Sequence, residues 1–310
     1  MLPVMILGPT AAGKSEIGLL LARALDGEIL NADAMQVYRG LDIGTGKVPI
    51  SLRQGIPHHL MDILDPREVF SAGEFRRRTL ACMDEVLSRG KRPILVGGTG
   101  FYLRALARTL APMPDVPLRM RTTLNHVLDR RGPEPLHRML ALLDPAAAER
   151  IARGDRQRIE RALEVVLSCG RRFSDFQGGE MDGEDRMLFL KIGLNLPRPL
   201  LKQRIEARVL RMVEDGWLDE VRGLLEAGIP PGSHAFKSIG YREMARVAGG
   251  SLPLSEAVGR IVTRTRQFSK RQMTWFRKEK GIFWADASVA EFAYRDCLGY
   301  IKINDEGDQK

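Results

Sequence analysis

The sequence begins with a short apolar run, Val4-Met5-Ile6-Leu7, that leads directly into a glycine-rich loop. The loop reads Gly8-Pro9-Thr10-Ala11-Ala12-Gly13-Lys14-Ser15 and matches the phosphate-loop pattern G-x-x-x-x-G-K-S/T in full. The apolar run predicts a buried strand, and apolar residues at helical spacing from Ile17 onward predict a helix behind the loop. Backbone N–H groups, the lysine charge and a serine hydroxyl on Mg²⁺ would then surround a phosphate. This feature predicts a di- or triphosphate site; a chance glycine-rich turn is the less favoured alternative.

The first third of the chain alternates strand-like and helical patterns, which predicts a parallel sheet with helices on both faces. A second strand is predicted at residues 28–33, ending in Asp33, and a third at residues 93–98, followed by Thr99. Ser71 and Glu74 form a capping-box pattern that starts a helix. Because parallel strands present their carboxyl ends at one edge of a sheet, Asp33 and Thr99 are expected beside the phosphate loop.

From about Pro112 the strand-like runs stop, and helical patterns rich in Arg and Leu continue until a strand near residues 187–194. The predicted fold is α/β, a P-loop NTPase-like parallel sheet core with an inserted all-helical lobe. The predicted divisions are the first part of the core at 1–112, the lobe at 113–186, the second part of the core with basic C-terminal helices at 187–290, and a polar tail at 291–310.

Composition limits the classes of protein that this chain can belong to. The formal net charge of +9 over 310 residues favours a polyanionic partner, although many basic proteins never touch nucleic acid. No apolar stretch approaches the length of a membrane span, and the first residues do not read as a signal peptide. Cys82, Cys169 and Cys297 form no motif and are expected to be reduced. We therefore expect a cytoplasmic enzyme.

Two polar residues at strand ends are candidates for chemistry. Nucleotide hydrolases usually place a metal-binding Asp after an apolar strand, whereas here the third strand leads into Gly97-Gly98-Thr99. The Thr99 hydroxyl can contact Mg²⁺ or phosphate, or it can cap the helix that follows. Asp33 can act as a general base, and its alternatives are a helix cap or a group that supports a metal ligand.

Two helical segments carry basic faces that suit RNA phosphates, although a solvated charged face would look the same. One is residues 157–161, with Ile159 on its apolar side, and the other is the helix from Arg260 to Lys278. The His58-His59 pair has no acidic or cysteine partner at ligand spacing. It therefore predicts a loop or strand feature rather than a metal site.

Several segments together resemble the bacterial tRNA dimethylallyltransferases, also called tRNA isopentenyltransferases, over roughly residues 3–285. The sequence differs from the usual pattern of that family at Ala34, where Ser is more common, and at Gly46, where Ala is more common. The segments that carry the resemblance are residues 8–15, 31–39, 41–47, 58–62, 97–102, 157–164, 239–243 and 270–277.

The resemblance implies transfer of a dimethylallyl group from dimethylallyl diphosphate to N6 of the adenosine 3′ to the anticodon, in tRNAs that read codons beginning with U. The loop at residues 8–15 would hold the diphosphate leaving group, with Mg²⁺ bound by Ser15 and Thr99. Asp33 would accept the N6 proton, and Thr99 and Arg208 match positions near the diphosphate. The matching tRNA-contact positions are Asp33, Ala34, Met35, Gln36, Thr99, Arg121, Gln157, Arg158, Ile159, Glu160, Arg161, Lys237, Gly240, Tyr241, Arg242, Lys270 and Arg271.

The expected partners are thus dimethylallyl diphosphate and the anticodon stem-loop of tRNA, with no membrane and with the protein as a monomer. Loss of the hydroxyl at Ala34 would remove one contact to the RNA and leave the chemistry intact. The alternatives are a small-molecule kinase with the same phosphate loop, an NTP-dependent RNA-binding switch, and a related prenyltransferase that acts on free adenine nucleotide.

Overall fold

The computed structural model describes residues 1–107, 114, 116–176 and 187–307. The chain divides into two compact units, of which the first comprises residues 1–107 and 187–310 and the second residues 108–186. The predicted boundary between residues 112 and 113, and the last three residues of the predicted tail, lie outside the described residues.

The first unit is built on a parallel sheet, which confirms the predicted α/β class. Six strands pair among the described residues, in the spatial order β3-β2-β4-β1-β5-β6. All of the pairings are parallel, and Met5 of the central strand lies opposite Leu95 and Lys191. The strands are β1 (Val4–Leu7), β2 (Gly27–Asn31), β3 (His58–His59), β4 (Arg92–Val96), β5 (Leu190–Asn195) and β6 (Ile282–Asp286).

The described helices surround this sheet in the first unit and supply all of the regular secondary structure in the described part of the second. None of them is both long and apolar enough to cross a bilayer. They are α1 (Lys14–Ala24), α2 (Ala72–Ser88), α3 (Gly100–Ala107), α4 (Leu118–Arg131), α5 (Pro133–Leu143), α6 (Pro145–Arg150), α7 (Arg156–Cys169), α8 (Phe173–Phe176), α9 (Arg198–Glu214), α10 (Trp217–Glu226), α11 (Tyr241–Ala248), α12 (Leu254–Phe276) and α13 (Ala290–Gly307).

Two apolar layers cover the two faces of the sheet. Strand side chains alternate between faces, so Val4 and Ile6 of β1 join one layer while Met5 and Leu7 join the other. The first layer includes α1 and α13, and the second includes α2, α3 and α10 to α12. Burial on both faces explains why β1 is apolar throughout, as is usual for central parallel strands.

The predicted polar tail was wrong for the described residues, because residues 290–307 form α13. Ala293, Cys297 and Ile301 recur every fourth residue and are fully buried in the layer that contains α1. The C-terminal composition is polar on average, yet this single apolar stripe is enough to dock the helix. The edge strand β6 also went unpredicted, although turns bound its five residues.

The predicted start of α2 is confirmed in part. The Ser71 side chain accepts a hydrogen bond of 3.1 Å from the Glu74 N–H, as a helix N-cap should. The Glu74 carboxylate bonds to Arg77 and Arg78 rather than returning to Ser71. Half of the capping box is therefore formed.

The second unit has an apolar core of its own, made by α4 to α8. Leu128, Leu140 and Leu163 lie at its centre and are almost wholly shielded from solvent. No strand occurs among the described residues 116–176, which is the all-helical composition predicted for the inserted lobe.

Candidate functional site

The phosphate loop joins β1 to α1. Gly8 has a φ of +146° and lies against β5, where a Cβ would meet the Leu194 carbonyl oxygen at 3.0 Å. Gly13, with a φ of +89°, directly precedes α1. The Lys14 ammonium donates a 2.8 Å hydrogen bond to the Pro9 carbonyl, which closes the loop on itself. The unpaired N–H groups at the start of α1 are thereby presented to the space that the loop encloses.

A cavity of about 330 Å³ opens above this loop, and all of the residues that line it belong to the first unit. Residues 10–16 form one wall, Asp33 and Gln36 follow β2, and Arg208 projects from α9. The predicted meeting of Asp33 with the phosphate loop is thus realised. Arg208 is 194 positions from Lys14 in the sequence, and the fold brings both cations to one cavity.

Four charged side chains line the cavity, the cations Lys14 and Arg208 and the carboxylates Glu16 and Asp33. Burial and the neighbouring Arg208 together lower the pKa of Lys14 to about 8, and Asp33 opposes this effect. Burial also lowers the pKa of Arg208 from its usual value, again against the influence of Asp33. The two neighbouring cations repel each other, and N–H groups that can bind an anion lie beside them. A bound polyanion would therefore be stabilised at this site.

This crowding predicts a pH dependence of diphosphate binding. Lys14 loses its proton above about pH 8 in the free protein, whereas a bound diphosphate keeps it protonated. The association constant for inorganic diphosphate should therefore fall about tenfold per pH unit above pH 8, the slope of one coupled proton. Calorimetry between pH 7 and 10 without divalent metal measures it. The Lys14→Met variant should show only the dependence due to the ligand's own ionisation, and an equal slope in both proteins would contradict the prediction.

Hydrogen bonds between side chains and backbone N–H groups hold Asp33 and Thr99 in neighbouring segments. Asp33 Oδ1 accepts a 2.9 Å hydrogen bond from the Met35 N–H, and the Asp33 N–H donates to Asn31 Oδ1 at 2.9 Å. The Thr99 hydroxyl accepts from the Ala34 N–H at 3.2 Å, and its carbonyl accepts from the first turn of α3. Asp33 therefore stabilises a local turn, and its second carboxylate oxygen is left for the cavity.

Thr45 and Gly46 line another part of the cavity, and their segment, residues 42–46, is anchored by α10. The Glu220 carboxylate accepts from the backbone N–H groups of Asp42 at 2.8 Å and Ile43 at 2.6 Å. It also accepts from the Tyr241 hydroxyl at 2.6 Å. The carbonyl oxygens of this anchored segment in turn accept from Gln36 and Arg208.

Gly46 is one of the two positions at which the sequence departs from the family pattern, and the structure shows what glycine permits there. A Cβ at Gly46 would overlap the guanidinium of Arg208, and its φ is +65°. Arg208 Nη2 donates to the Thr45 carbonyl at 3.4 Å, so the guanidinium lies directly against this turn. An alanine here would require Arg208 to shift.

Three of the predicted tRNA-contact residues are buried in the structure, namely Ile159, Gly240 and Tyr241. Ile159 is fully shielded in the core of the second unit. Tyr241 is fully shielded too, and it packs edge-on against Trp217. A Cβ at Gly240 would overlap Trp217, so this glycine serves close packing. Their neighbours remain exposed and available, namely Gln157, Arg158, Lys237, Arg242, Lys270 and Arg271.

Arg121 and Arg161 have a structural partner that sequence analysis missed. Glu164 of α7 is buried, and it accepts from Arg121 Nε at 2.8 Å and Arg161 Nη1 at 3.0 Å. In the same unit, Asn125 donates to Glu160 at 2.6 Å. Arg158 is therefore exposed on this helix, whereas Arg161 turns toward a buried carboxylate.

Because Arg121 pairs with a buried carboxylate and Arg158 is exposed, their replacement should affect different properties, protein stability for Arg121 and RNA binding for Arg158. The Arg121→Ala variant should lose about 1–2 kcal/mol of stability because it weakens the pairing of a buried charge. The Arg158→Ala variant should keep its stability and reduce the salt dependence of RNA binding by about one counterion. Urea denaturation and RNA titration at several salt concentrations measure both. An Arg158→Ala variant that is the less stable of the two would refute the assignment.

Two further side chains line the cavity without having been predicted. Phe268 and Gln272 lie one turn apart on α12 and both face the phosphate loop. Neither side chain was assigned to the site from the sequence. A polar residue on the buried face of an amphipathic helix was the available signal.

The histidine pair forms β3, as its interpretation as a loop or strand feature predicted. His59 Nε2 bonds to Glu28 at 2.5 Å, and His58 lines the cavity with Nδ1 on the Ile56 carbonyl at 2.8 Å. Among the described residues, no group of three or more His, Cys, Asp or Glu side chains is arranged to hold a metal ion.

The hydroxyl oxygens of Ser15, which lines the cavity, and of Thr99, in the turn after β4, are of the kind that suits a magnesium ion arriving with its substrate. Mg²⁺ prefers oxygen ligands and is commonly held by one or two protein groups, several waters and substrate phosphates. Ser15 is exposed at the start of α1, and its hydroxyl makes none of the hydrogen bonds found in the described part of the chain. The Thr99 hydroxyl accepts one hydrogen bond and retains a lone pair.

Comparison with known proteins agrees with this geometry. Residues 36–279 match the sequence profile described as IPP transferase. A tRNA dimethylallyltransferase of Geobacter metallireducens is 47% identical over 283 residues, which cover 91% of this chain and 92% of the relative.

Solved structures give the same result. The full-length tRNA isopentenylpyrophosphate transferase of Bacillus halodurans is 34% identical, with a TM-score of 0.71 and 99% of each chain covered. A eukaryotic dimethylallyltransferase acting on tRNA is 29% identical, with a TM-score of 0.77, covering 93% of this chain and 74% of that one. The resemblance noted in the sequence is confirmed, and the chain belongs to the IPP transferase family.

Proposed function

We propose that this protein transfers a dimethylallyl group from dimethylallyl diphosphate to N6 of the adenosine 3′ to the anticodon, in tRNAs that read codons beginning with U. The observation that carries the proposal is the single cavity that joins the phosphate loop, Arg208 and Asp33. Two cations suit a diphosphate, and one carboxylate suits the proton that must leave an attacking amine. Membership of the IPP transferase family supports the same chemistry.

Diphosphate departure is the step that the cations would assist. The N–H groups at the start of α1, together with Lys14 and Arg208, would bind the diphosphate oxygens as negative charge develops on them. The bond between the allylic carbon and its oxygen breaks, and both electrons leave with the diphosphate. Magnesium bound by Ser15, Thr99 and the diphosphate would supply further positive charge to the leaving group.

Attack by N6 is the step that Asp33 would assist. The N6 lone pair forms the new bond to the allylic carbon, and the nitrogen must then lose a proton. The carboxylate oxygen of Asp33 that is not engaged with Met35 would accept it. The adenine has to leave the stack of the anticodon loop to reach this cavity, as other base-modifying enzymes require.

Contacts to tRNA would come from exposed basic residues on both units. Lys237, Arg242, Lys270 and Arg271 lie on the surface of the first unit, and Arg158 on that of the second. All of the groups named for the donor come from one chain, so we propose that a monomer suffices. With tRNA as acceptor, the cytoplasm is the proposed location.

The proposal is tested by a transfer assay with chosen acceptors. The protein is incubated with dimethylallyl diphosphate, Mg²⁺ and unmodified tRNA, and the digested nucleosides are analysed by mass spectrometry. Prenylated adenosine should form in a tRNA that reads a U-starting codon, and it should not form when the adenosine is replaced by guanosine.

Two additional arms separate the alternatives. Replacing tRNA with AMP should yield no product, and product from AMP alone would favour a prenyltransferase of free nucleotides. Supplying ATP in place of dimethylallyl diphosphate should leave the tRNA unchanged. Transfer of a phosphoryl group from ATP would overturn the proposal in favour of a kinase. The sequence at the end of β4, which is Gly97-Gly98-Thr99 with no metal-binding Asp, disfavours that alternative.

A further inference from the structure

Gln272 of α12 connects the phosphate loop to the turn that follows β4. Its side chain is 6% exposed and lies between the phosphate loop and the turn that follows β4. Gln272 Oε1 accepts a 2.9 Å hydrogen bond from the Thr10 N–H, and Nε2 donates a 2.8 Å hydrogen bond to the Gly98 carbonyl. One amide group therefore satisfies a donor on the loop and an acceptor on the turn.

The turn after β4 is shaped to receive α12. A Cβ at Gly98 would overlap the amide nitrogen of Gln272, and a Cβ at Gly100 would overlap the ring of Trp275. Gln272 and Trp275 are three residues apart and so lie on one face of the helix. The absence of side chains at these two glycines thus lets α12 reach the backbone of the turn.

Further hydrogen bonds connect this turn to the segment that contains Asp33. Thr99, next to Gly98, accepts from the Ala34 N–H through its hydroxyl at 3.2 Å. Ala34 follows Asp33 directly, and the Asp33 carboxylate is bonded to the Met35 N–H. Four side chain-to-backbone hydrogen bonds, made by the side chains of Gln272, Thr99 and Asp33, therefore connect the phosphate loop to the Asp33 segment.

We infer that Gln272 is a positioning residue that holds the diphosphate loop and the Asp33 segment in one fixed arrangement. The inference rests on the proposed function, since it concerns the geometry of donor and acceptor in that transfer. The Thr10 N–H donates to Gln272 and the Ala12 N–H donates to the Pro9 carbonyl at 3.3 Å, so both maintain the shape of the loop, and the remaining amides at the start of α1 are left for the diphosphate. Displacement of one reactive group by about 1 Å can cost about 10²-fold in rate, so such a connection matters to turnover.

The test compares Gln272→Met with two controls in the full-length protein. Methionine has nearly the same length as glutamine and can make neither hydrogen bond. Gln203→Met applies the same change at an exposed position of α9. Cys297→Ala removes a buried side chain of α13 and reports the effect of lower global stability. For each protein we would measure kcat and KM for both substrates, tRNA affinity, the melting temperature, and hydrogen exchange.

The expected result is a fall in kcat of about 10–10²-fold for Gln272→Met, with unchanged tRNA affinity. Amide exchange should accelerate in the segments at residues 8–13 and 97–103. Both controls should keep the wild-type kcat at temperatures at which they are folded. A Gln272→Met kcat within twofold of wild type would overturn the inference, and so would an equal loss in Cys297→Ala.

A second variant decides the matter if Gln272→Met does not fold. Gln272→Glu preserves size and the acceptor for Thr10, and as a carboxylate it lacks the donor for Gly98. Its kcat at saturating donor should also fall by at least about tenfold, and full activity would overturn the inference.

If the wild-type protein fails to transfer any dimethylallyl group, the proposed function fails. Exchange of residues 8–13 then still decides whether Gln272 holds the loop, since equal protection in wild type and variant would refute it.

Discussion

Replacing Asp33 with Asn is expected to lower kcat by about 10²–10⁴-fold, the usual contribution of a general base. The asparagine retains an oxygen for the Met35 N–H, so the turn at residues 33–35 persists while the proton acceptor is lost. tRNA affinity should therefore remain close to that of the wild type. Single-turnover kinetics with prebound tRNA measures the chemical step, and filter binding measures the affinity.

The Asp33→Ala variant adds a second comparison. It removes both the proton acceptor and the bond to Met35, so it should lose at least as much activity as Asp33→Asn. The matched control is Asp84→Asn on the exposed face of α2, which should behave as wild type. Near-normal turnover in Asp33→Asn would show that another group, or water, accepts the N6 proton.

Replacing Lys14 with Met is the second change with a large expected effect, a fall in kcat/KM of about 10²–10³-fold. The lysine lies in the loop that lines the cavity, and its charge would stabilise the diphosphate most when the allylic bond is breaking. The variant also loses the bond from Lys14 to the Pro9 carbonyl, which closes the loop. Steady-state kinetics with varied dimethylallyl diphosphate separates a rise in KM from a fall in kcat.

Two comparisons make the Lys14 result specific. Lys202→Met applies the same change at an exposed site on α9 and should leave all parameters unchanged. Inorganic diphosphate should inhibit the Lys14→Met variant less strongly than it inhibits the wild type, because the product binds in the same place. If kcat/KM in Lys14→Met stays within a few-fold of wild type, the loop binds something other than the leaving group.

Local physical rules were sufficient for several elements. The pattern at residues 8–15 defines its own backbone geometry, and the structure shows β1, the loop and α1 where the pattern predicts them. The strand ends that bear Asp33 and Thr99 could be located because parallel strands share one carboxyl edge. The change from alternating to purely helical patterns likewise predicted the second unit, and its described residues are all-helical.

Other parts of the site depend on contacts between residues far apart in the chain. Gln272 bonds to Thr10 across 262 positions, and Glu220 supports the turn at residues 42–46 across 178. No spacing rule relates such residues, because only the packing of α10 and α12 against the sheet brings them into contact. The direction in which Arg161 points was decided in the same way, by the burial of Glu164.

The sequence by itself determined that a phosphate loop starts the chain, that a carboxylate and a hydroxyl follow neighbouring parallel strands, and that a helical lobe interrupts the core. These conclusions rest on short-range backbone and side-chain preferences, which act wherever the residues occur. The tertiary structure alone decided which predicted tRNA-contact residues are buried and how Gln272 connects the loop to the Asp33 segment. Those outcomes follow from close packing, since a side chain's exposure and partners are set by whatever the whole fold places beside it.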